Sequence, residues 1–341
     1  MDSVPFTAWA ATIAVVLALF ALDFVIAARR PHVVEMREAT AWSVFYIAVA
    51  IVFGGVLWAL AGSEAGTEYF AGWIVEKSLS VDNLFVFVII MARFAVPPQF
   101  QQKVLLFGIG AALVMRAGFI AIGAAAISLF SWTFVVFGLI LIWTAIQLFR
   151  HHNEDADPED NAVLRWAQKR FPSTSGFHNG QLLVVENGRK VVTPLFFVLL
   201  AIGSTDLLFA LDSIPAIFGI TQVPFIVFAA NAFALLGLRA LYFLIQGLLQ
   251  KLVYLSLGLS AILAFIGVKL IMAFLHEDVN EAIPHVPTLL SLAVILGVLA
   301  VTTVASLVRV RSHPEEKAHS GSLRHHEPSR TDTEKPARPA P

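Results

Sequence analysis

Cysteine is absent from all 341 residues, which excludes disulfides, thiolate metal centres and iron–sulfur clusters. Histidine occurs ten times, but His32, His151, His152, His178, His276, His285, His313, His319, His325 and His326 all read as loop or tail positions, so no imidazole is expected at membrane depth. Charge is scarce: 14% of residues against about 25% in soluble domains. The apolar share, 58%, exceeds the usual ~45–50% by more than a buried core requires. With a mean hydropathy of +0.78, the chain reads as an integral membrane protein. Enzyme motifs are missing too. There is no HExxH, no intramembrane His for a Ser–His pair, and no GxGD, the nearest being GSTD at Gly203–Asp206. Lys269 lacks an acid four residues earlier, where Phe265 stands, which argues against a retinal Schiff base. An enzyme is not expected.

What is present is a series of apolar stretches of spanning length, about nine, at roughly 8–28, 41–61, 71–92, 104–127, 132–149, 196–219, 223–246, 252–275 and 287–308. The first is followed, not preceded, by Arg29 and Arg30, the reverse of a secretory signal, and reads as a true span. With the N-terminus outside and the C-terminus inside, every one of the 23 Lys and Arg lies either on an inside segment or within a span. The intramembrane ones are Lys77, Arg116, Arg239 and Lys269.

Against this apolar background stand two acidic pairs of identical spacing, Glu76 with Asp82 in EKSLSVDN and Asp206 with Asp212 in DLLFALDS. An ionised side chain at the bilayer centre costs about 2.5–3.5 kcal/mol by insertion scales, so such residues usually serve a function. The second pair lies three spans after the first, an odd offset that makes the two helices antiparallel. FGIGAALVMRAGF (Phe107–Phe119) resembles FAANAFALLGLRALYF (Phe228–Phe243), each with an arginine. FGLILIWTAIQLF (Phe137–Phe149) loosely matches LGLSAILAFIGVKL (Leu257–Leu270). The expected fold is an all-α polytopic membrane protein with a 3+3 inverted repeat of spans 3–5 and 6–8 and a site at the repeat interface. Small residues along span 4, from Gly108 to Gly123, would permit close helix contact.

Carboxylates with nearby Asn, Ser and Thr oxygens form a hard ligand set suited to Mn²⁺, Mg²⁺ or Ca²⁺. Ser78, Ser80, Asn83, Ser204, Thr205, Ser213 and Asn231 surround the four acids. Residues six apart on a straight helix differ by about 120° around the axis, whereas Glu76 with Asn83, and Asp206 with Ser213, share a face. Either each pair forms two stations on a path or the helices break locally. Pro215 favours a break in span 6, freeing the carbonyl of Leu211. The competing reading is structural: four acids balanced by four intramembrane cations as ordinary ion pairs. In that reading the arginines are counter-ions or gates, and Asp23 pairs at the interface with Arg29.

The 150–193 segment carries a short amphipathic pattern at 160–171 and an alternating pattern around Asn187-Gly188, a hairpin signal. Residues 1–310 form one transmembrane, transporter-like domain with this segment as a cytosolic loop. The polar, Pro- and Ser-rich 311–341 reads as a disordered cytosolic tail.

EKSLSVDNLFVF (Glu76–Phe87), TPLFFVLLAIGSTDLLFALDSIPAIFGIT (Thr193–Thr221), NAFALLGLRALYF (Asn231–Phe243) and YLSLGLSAILAFIGVKL (Tyr254–Leu270) resemble the TerC family of integral membrane proteins. The resemblance spans roughly 40–310. It implies a multi-pass protein of the bacterial inner membrane, tied to tellurium resistance and Mn²⁺ export, with metal ligands at Glu76, Asp82, Asn83, Asp206, Asp212 and Ser213. Tellurite is an anion, so a tellurium phenotype would be indirect. The resulting expectation is an exporter of a hard divalent cation, Mn²⁺ first, with Asp82 and Asp212 as the foremost ligands and Glu76, Asp206 and Asn83 next, requiring no cofactor. Its partners would be the lipid bilayer and the cation, with a homo-oligomer or secretion-machinery contact open and nucleic acid not expected. Moving two charges out against about 100 mV costs roughly 4.6 kcal/mol, so coupling is needed, and desolvated carboxylates make proton antiport plausible. The alternative is a non-transporting accessory factor for protein export, metal loading or envelope stress.

Overall fold

A backbone that crosses lipid must satisfy its own polar groups, and a helix does so within one segment. The computed structural model describes residues 4–29, 34–150, 162–174, 176–186, 188–245, 252–280, 283–284 and 286–312, and it is mostly helical. Its long helices are α1 (Phe6–Arg29), α2 (Met36–Ala61), α3 (Ser63–Arg93), α4 (Pro98–Leu129) and α5 (Thr133–Arg150). A short α6 (Ala162–Arg170) and a hairpin, β1 (Leu183–Glu186) with β2 (Arg189–Val192), precede α7 (Pro194–Phe218). Then come α8 (Pro224–Leu235), α9 (Leu238–Ile245), α10 (Leu255–Asp278) and α11 (Thr288–Ser312). Proline opens α4, α7 and α8 in the first turn, where its missing N–H is not needed.

Among the described residues, seven helices are long and apolar enough to cross a membrane: α1, α2, α4, α5, α7, α10 and α11. The bent pair α8 and α9 makes an eighth. The ninth stretch of the sequence reading is α3. At 31 residues it is long enough, but Glu76, Lys77 and Asp82 burden its middle. Protein shields it instead of lipid, since α3 packs against α2, α7, α8 and α11. Large apolar side chains such as Val44, Val52, Val114, Ile122, Val301 and Val304 face outward on the surrounding helices, as lipid contact requires.

Two features depart from the sequence reading. Helix α7 runs unbroken through Pro215 to Phe218, so the expected break in span 6 is not there. A break falls in span 7, where α8 and α9 meet at 41°. Gly237 lies there at φ +80°, and an added Cβ would sit 2.6 Å from the Tyr46 Cβ. Glycine alone accepts both the conformation and the contact. The glycines of span 4 do sit close against neighbouring helices, an added Cβ on Gly108 lying 2.9 Å from Ile202 Cγ2 and one on Gly110 2.8 Å from the Phe20 ring, while two backbones approach each other at another crossing. Gly138 of α5 and Gly267 of α10 face each other, and a Cβ on Gly138 would lie 2.7 Å from the Gly267 carbonyl oxygen.

The segment between α5 and α7 folds onto the helices. Leu164 and Ala167 of α6 are buried, and α6 packs on α7. In the hairpin Leu183 pairs with Val192 and Glu186 with Arg189; Gly188 has φ +77°, while Asn187 lies outside the described residues. Lys103 of α4 donates to the Gly180 carbonyl at 2.7 Å, and Thr193 to the Gln181 carbonyl at 2.6 Å. The tail beyond Ser312 lies outside the described residues.

Candidate functional site

Residues four apart on a helix share a face, so Glu76 and Ser80 of α3 point the same way, and the Ser80 hydroxyl donates to Glu76 Oε1 at 3.3 Å. Two turns of α7 place Asp206 and Ser213 on one face in the same manner. Arg116 of α4 enters between the two helices and joins them. Its Nη1 donates to Glu76 Oε1 and, at 3.2 Å, to Ser213 Oγ. Its Nη2 meets Asp206 Oδ1 at 3.1 Å and its Nε lies 3.5 Å from Asp206 Oδ2. Arg116 and Glu76 are wholly buried, with Asp206 at 3% and Ser213 at 1% exposure.

Two carboxylates and one guanidinium leave this node one negative charge in excess. Glu76 Oε2 is buried and has no hydrogen-bond partner. An orphan carboxylate oxygen in a low-dielectric interior is costly unless it is protonated or meets a cation. Asn231 of α8 is equally buried, and its Nδ2 also lacks a partner. Glu76, Asp206 and Ser213 are thus brought together. Asn83 is buried on α3, two turns beyond Glu76 and on the same face. The Asp82 side chain lies outside the described residues.

Asp212 sits apart from the node. It is half-buried, and Thr144 of α5 donates to its Oδ1 at 2.8 Å. With α7 unbroken, Asp206 and Asp212, six apart, point from different faces of the helix. Ser78 and Ser204 turn back to carbonyls of their own helices, those of Ile74 and Leu200, at 2.7 and 2.6 Å. Among the described residues no group of three His, Asp or Glu converges as a metal centre.

The other intramembrane charges are satisfied separately. Asp23 is 6% exposed and receives Arg239 Nη2 at 2.6 Å and Nε at 3.1 Å, while the Arg29 side chain lies outside the described residues. Arg239 Nη1 reaches Gln102 of α4 at 2.9 Å. Although Arg116 and Arg239 match in sequence, their acids do not: Arg116 holds Glu76 and Asp206, Arg239 holds Asp23 of α1. Lys77 donates to the Ala234 carbonyl at the end of α8, 3.0 Å away. Glu68 accepts from Thr221 at 2.6 Å, with Lys269 of α10 in electrostatic reach. His276, placed in a loop by the sequence reading, lies in the last turn of α10, its Nδ1 2.7 Å from the Ile283 carbonyl oxygen. Two groups went unread: Thr144, an isolated hydroxyl in an apolar run, and Gln102 at the start of span 4. Only the excess of intramembrane charge hinted that such partners exist.

The integral membrane protein TerC family matches residues 61–313. An uncharacterized membrane protein of Myxococcus xanthus is 45% identical over 310 residues, covering 91% of this chain and 95% of that protein. One from Mycobacterium tuberculosis is 46% identical over 319 residues, 90% of this chain and 80% of its own length. Alx of Escherichia coli, whose name carries a suggested role as a membrane-bound redox modulator, is 35% identical over 306 residues, 87% of this chain and 92% of Alx. No solved structure matches the chain.

Proposed function

The chain belongs to the integral membrane protein TerC family, and from that premise we propose that it exports a hard divalent cation, Mn²⁺ first, across the bacterial inner membrane. The observation that carries this is the meeting of Glu76 of α3 and Asp206 of α7 in a buried node. That node has an excess negative charge and an unpartnered carboxylate oxygen. Hard oxygen donors with uncompensated charge favour a cation that binds through oxygen.

In this reading there are nine spans, α3 among them and α8 with α9 as one, with the N-terminus outside and the C-terminus inside. The units α3–α5 and α7–α10 rock against each other to alternate access. Asp212 and Asp82 form a second station, and protons taken up by the emptied carboxylates of that second station drive the return. The suggested redox role of Alx cannot run through thiols in these 341 residues, which contain none. Any tellurium resistance follows from metal balance.

The accessory-factor reading has one observation in its favour. The docked α6 and hairpin expose Trp166, Leu183 and Val185, a patch suited to a protein contact. The deciding experiment is Mn²⁺ flux in proteoliposomes with wild type, Glu76→Gln, Asp206→Asn, Asp82→Asn and Asp212→Asn. The exporter predicts flux that is lost in the Glu76 and Asp206 variants and depends on a pH gradient. No wild-type flux under either a voltage or a pH gradient would refute it.

A further inference from the structure

The centre of the node is a cation the protein itself supplies. Arg116 is the largest wholly buried side chain among the described residues, and its guanidinium takes hydrogen bonds to four hard oxygens: Glu76 Oε1, Asp206 Oδ1 and Oδ2, and Ser213 Oγ. These are the oxygens a divalent ion would need. We propose that Arg116 is a tethered stand-in for the cargo, holding Glu76 and Asp206 while the site is unloaded and withdrawing when the ion enters. The inference rests on the transport reading above.

Charge decides the matter. With Arg116 in place, a divalent ion would turn a node of net charge −1 into one of +1, in a medium where an uncompensated charge is costly. With Arg116 withdrawn, the two carboxylates neutralise the ion. Geometry agrees, because a guanidinium donating to both Asp206 oxygens occupies the side of that carboxylate that a chelated metal would take. Glu76 Oε2, buried and without a partner, is the oxygen open to an incoming ion while the guanidinium remains. The ion can therefore first meet Glu76 and then displace Arg116 from Asp206. After release, Arg116 returns and the unloaded protein carries a −1 node through its return step instead of −2.

This assignment makes affinity and turnover move in opposite directions. Removing the stand-in strips a competitor from the site, so Arg116→Gln should bind Mn²⁺ at least about tenfold tighter, as expected for one close charge pair. It should export more slowly, because the empty site returns with an uncompensated second charge. Arg116→Lys keeps the charge but not the planar fork, so its affinity rises by a few fold and its turnover falls between the two. A purely structural arginine would lower both.

The test is equilibrium Mn²⁺ binding to full-length protein purified in detergent, read by the loss of the free-Mn²⁺ paramagnetic resonance signal, beside efflux from proteoliposomes. Tighter binding with slower efflux in both variants is the expected result. Wild-type binding with equal or weaker binding in the folded variants would overturn the stand-in while leaving the transport reading intact. If Arg116→Gln does not fold, Arg116→Lys alone decides by the same criterion. No Mn²⁺ binding in wild type or either variant would overturn both.

Discussion

The crossing of α5 and α10 offers the sharpest stability test. A Cβ on Gly138 would lie 2.6 Å from Ile271 Cγ1 and 2.7 Å from the Gly267 carbonyl oxygen. A Cβ on Gly267 would lie 2.8 Å from the Gly138 oxygen and 2.9 Å from Ile142 Cγ1. Backbone cannot rotate away as a side-chain tip can, so Gly138→Ala or Gly267→Ala must push the helices apart along the whole crossing. Overpacking costs about 1–3 kcal/mol. The helix-propensity gain of alanine over glycine, about 1 kcal/mol, offsets part of it. The net loss for each is up to roughly 2 kcal/mol. One separation clears both clashes, so the double variant should lose much less than the sum. Gly118 and Gly297, with nothing within 4 Å of an added Cβ, are the controls: alanine there should be neutral or slightly stabilising. Thermal unfolding in detergent, followed by tryptophan fluorescence, reads the wild type and all five variants. Melting of Gly138→Ala and Gly267→Ala at or above wild type would refute the close crossing.

Asp23→Leu or Arg239→Met alone leaves a buried charge without its partner and should destabilise by about 3–5 kcal/mol, while the double variant recovers most of the loss; a double-mutant cycle by thermal melting measures this. Gly237→Ala forces a Cβ into a left-handed conformation against Tyr46 and should cost more than about 1 kcal/mol, again read as a lowered melting temperature. Thr144→Val removes the donor to Asp212 and should cost about 1.5–3 kcal/mol, as for a hydrogen bond to a charged group. The same change in an Asp212→Leu background should cost much less, which a melting comparison checks.

What could be read in advance followed rules local in the chain. Hydrophobic runs marked the helices, the Gly188 region marked the hairpin, and the repeated acids led to Glu76 and Asp206 in the node. What could not be read depended on which helices touch. Glycines along span 4 resemble a close-packing stripe, yet Gly108 and Gly123 accommodate side chains, Ile202 and Phe218, rather than another backbone. Pro215 looked like the breaker, but a proline near a helix end removes one hydrogen bond without ending the helix. Gly237 needed both its positive φ and its contact with Tyr46 to become a break. Arg239, the partner that holds Asp23, arrives from more than 200 residues away, beyond the reach of any local pattern.

Glu76 and Lys77 are neighbours on α3, about 100° apart around its axis, and they hold different things. Glu76 grips Arg116, whereas Lys77 grips the Ala234 carbonyl just before the bend between α8 and α9. One rigid shaft therefore carries both attachments. A turn of α3 large enough to free Glu76 also drags the ammonium from the end of α8, and straightening α8 onto α9 would reclaim that carbonyl and release Lys77. The Glu76–Arg116 contact and the angle of the kink between α8 and α9 are thereby linked through two consecutive residues.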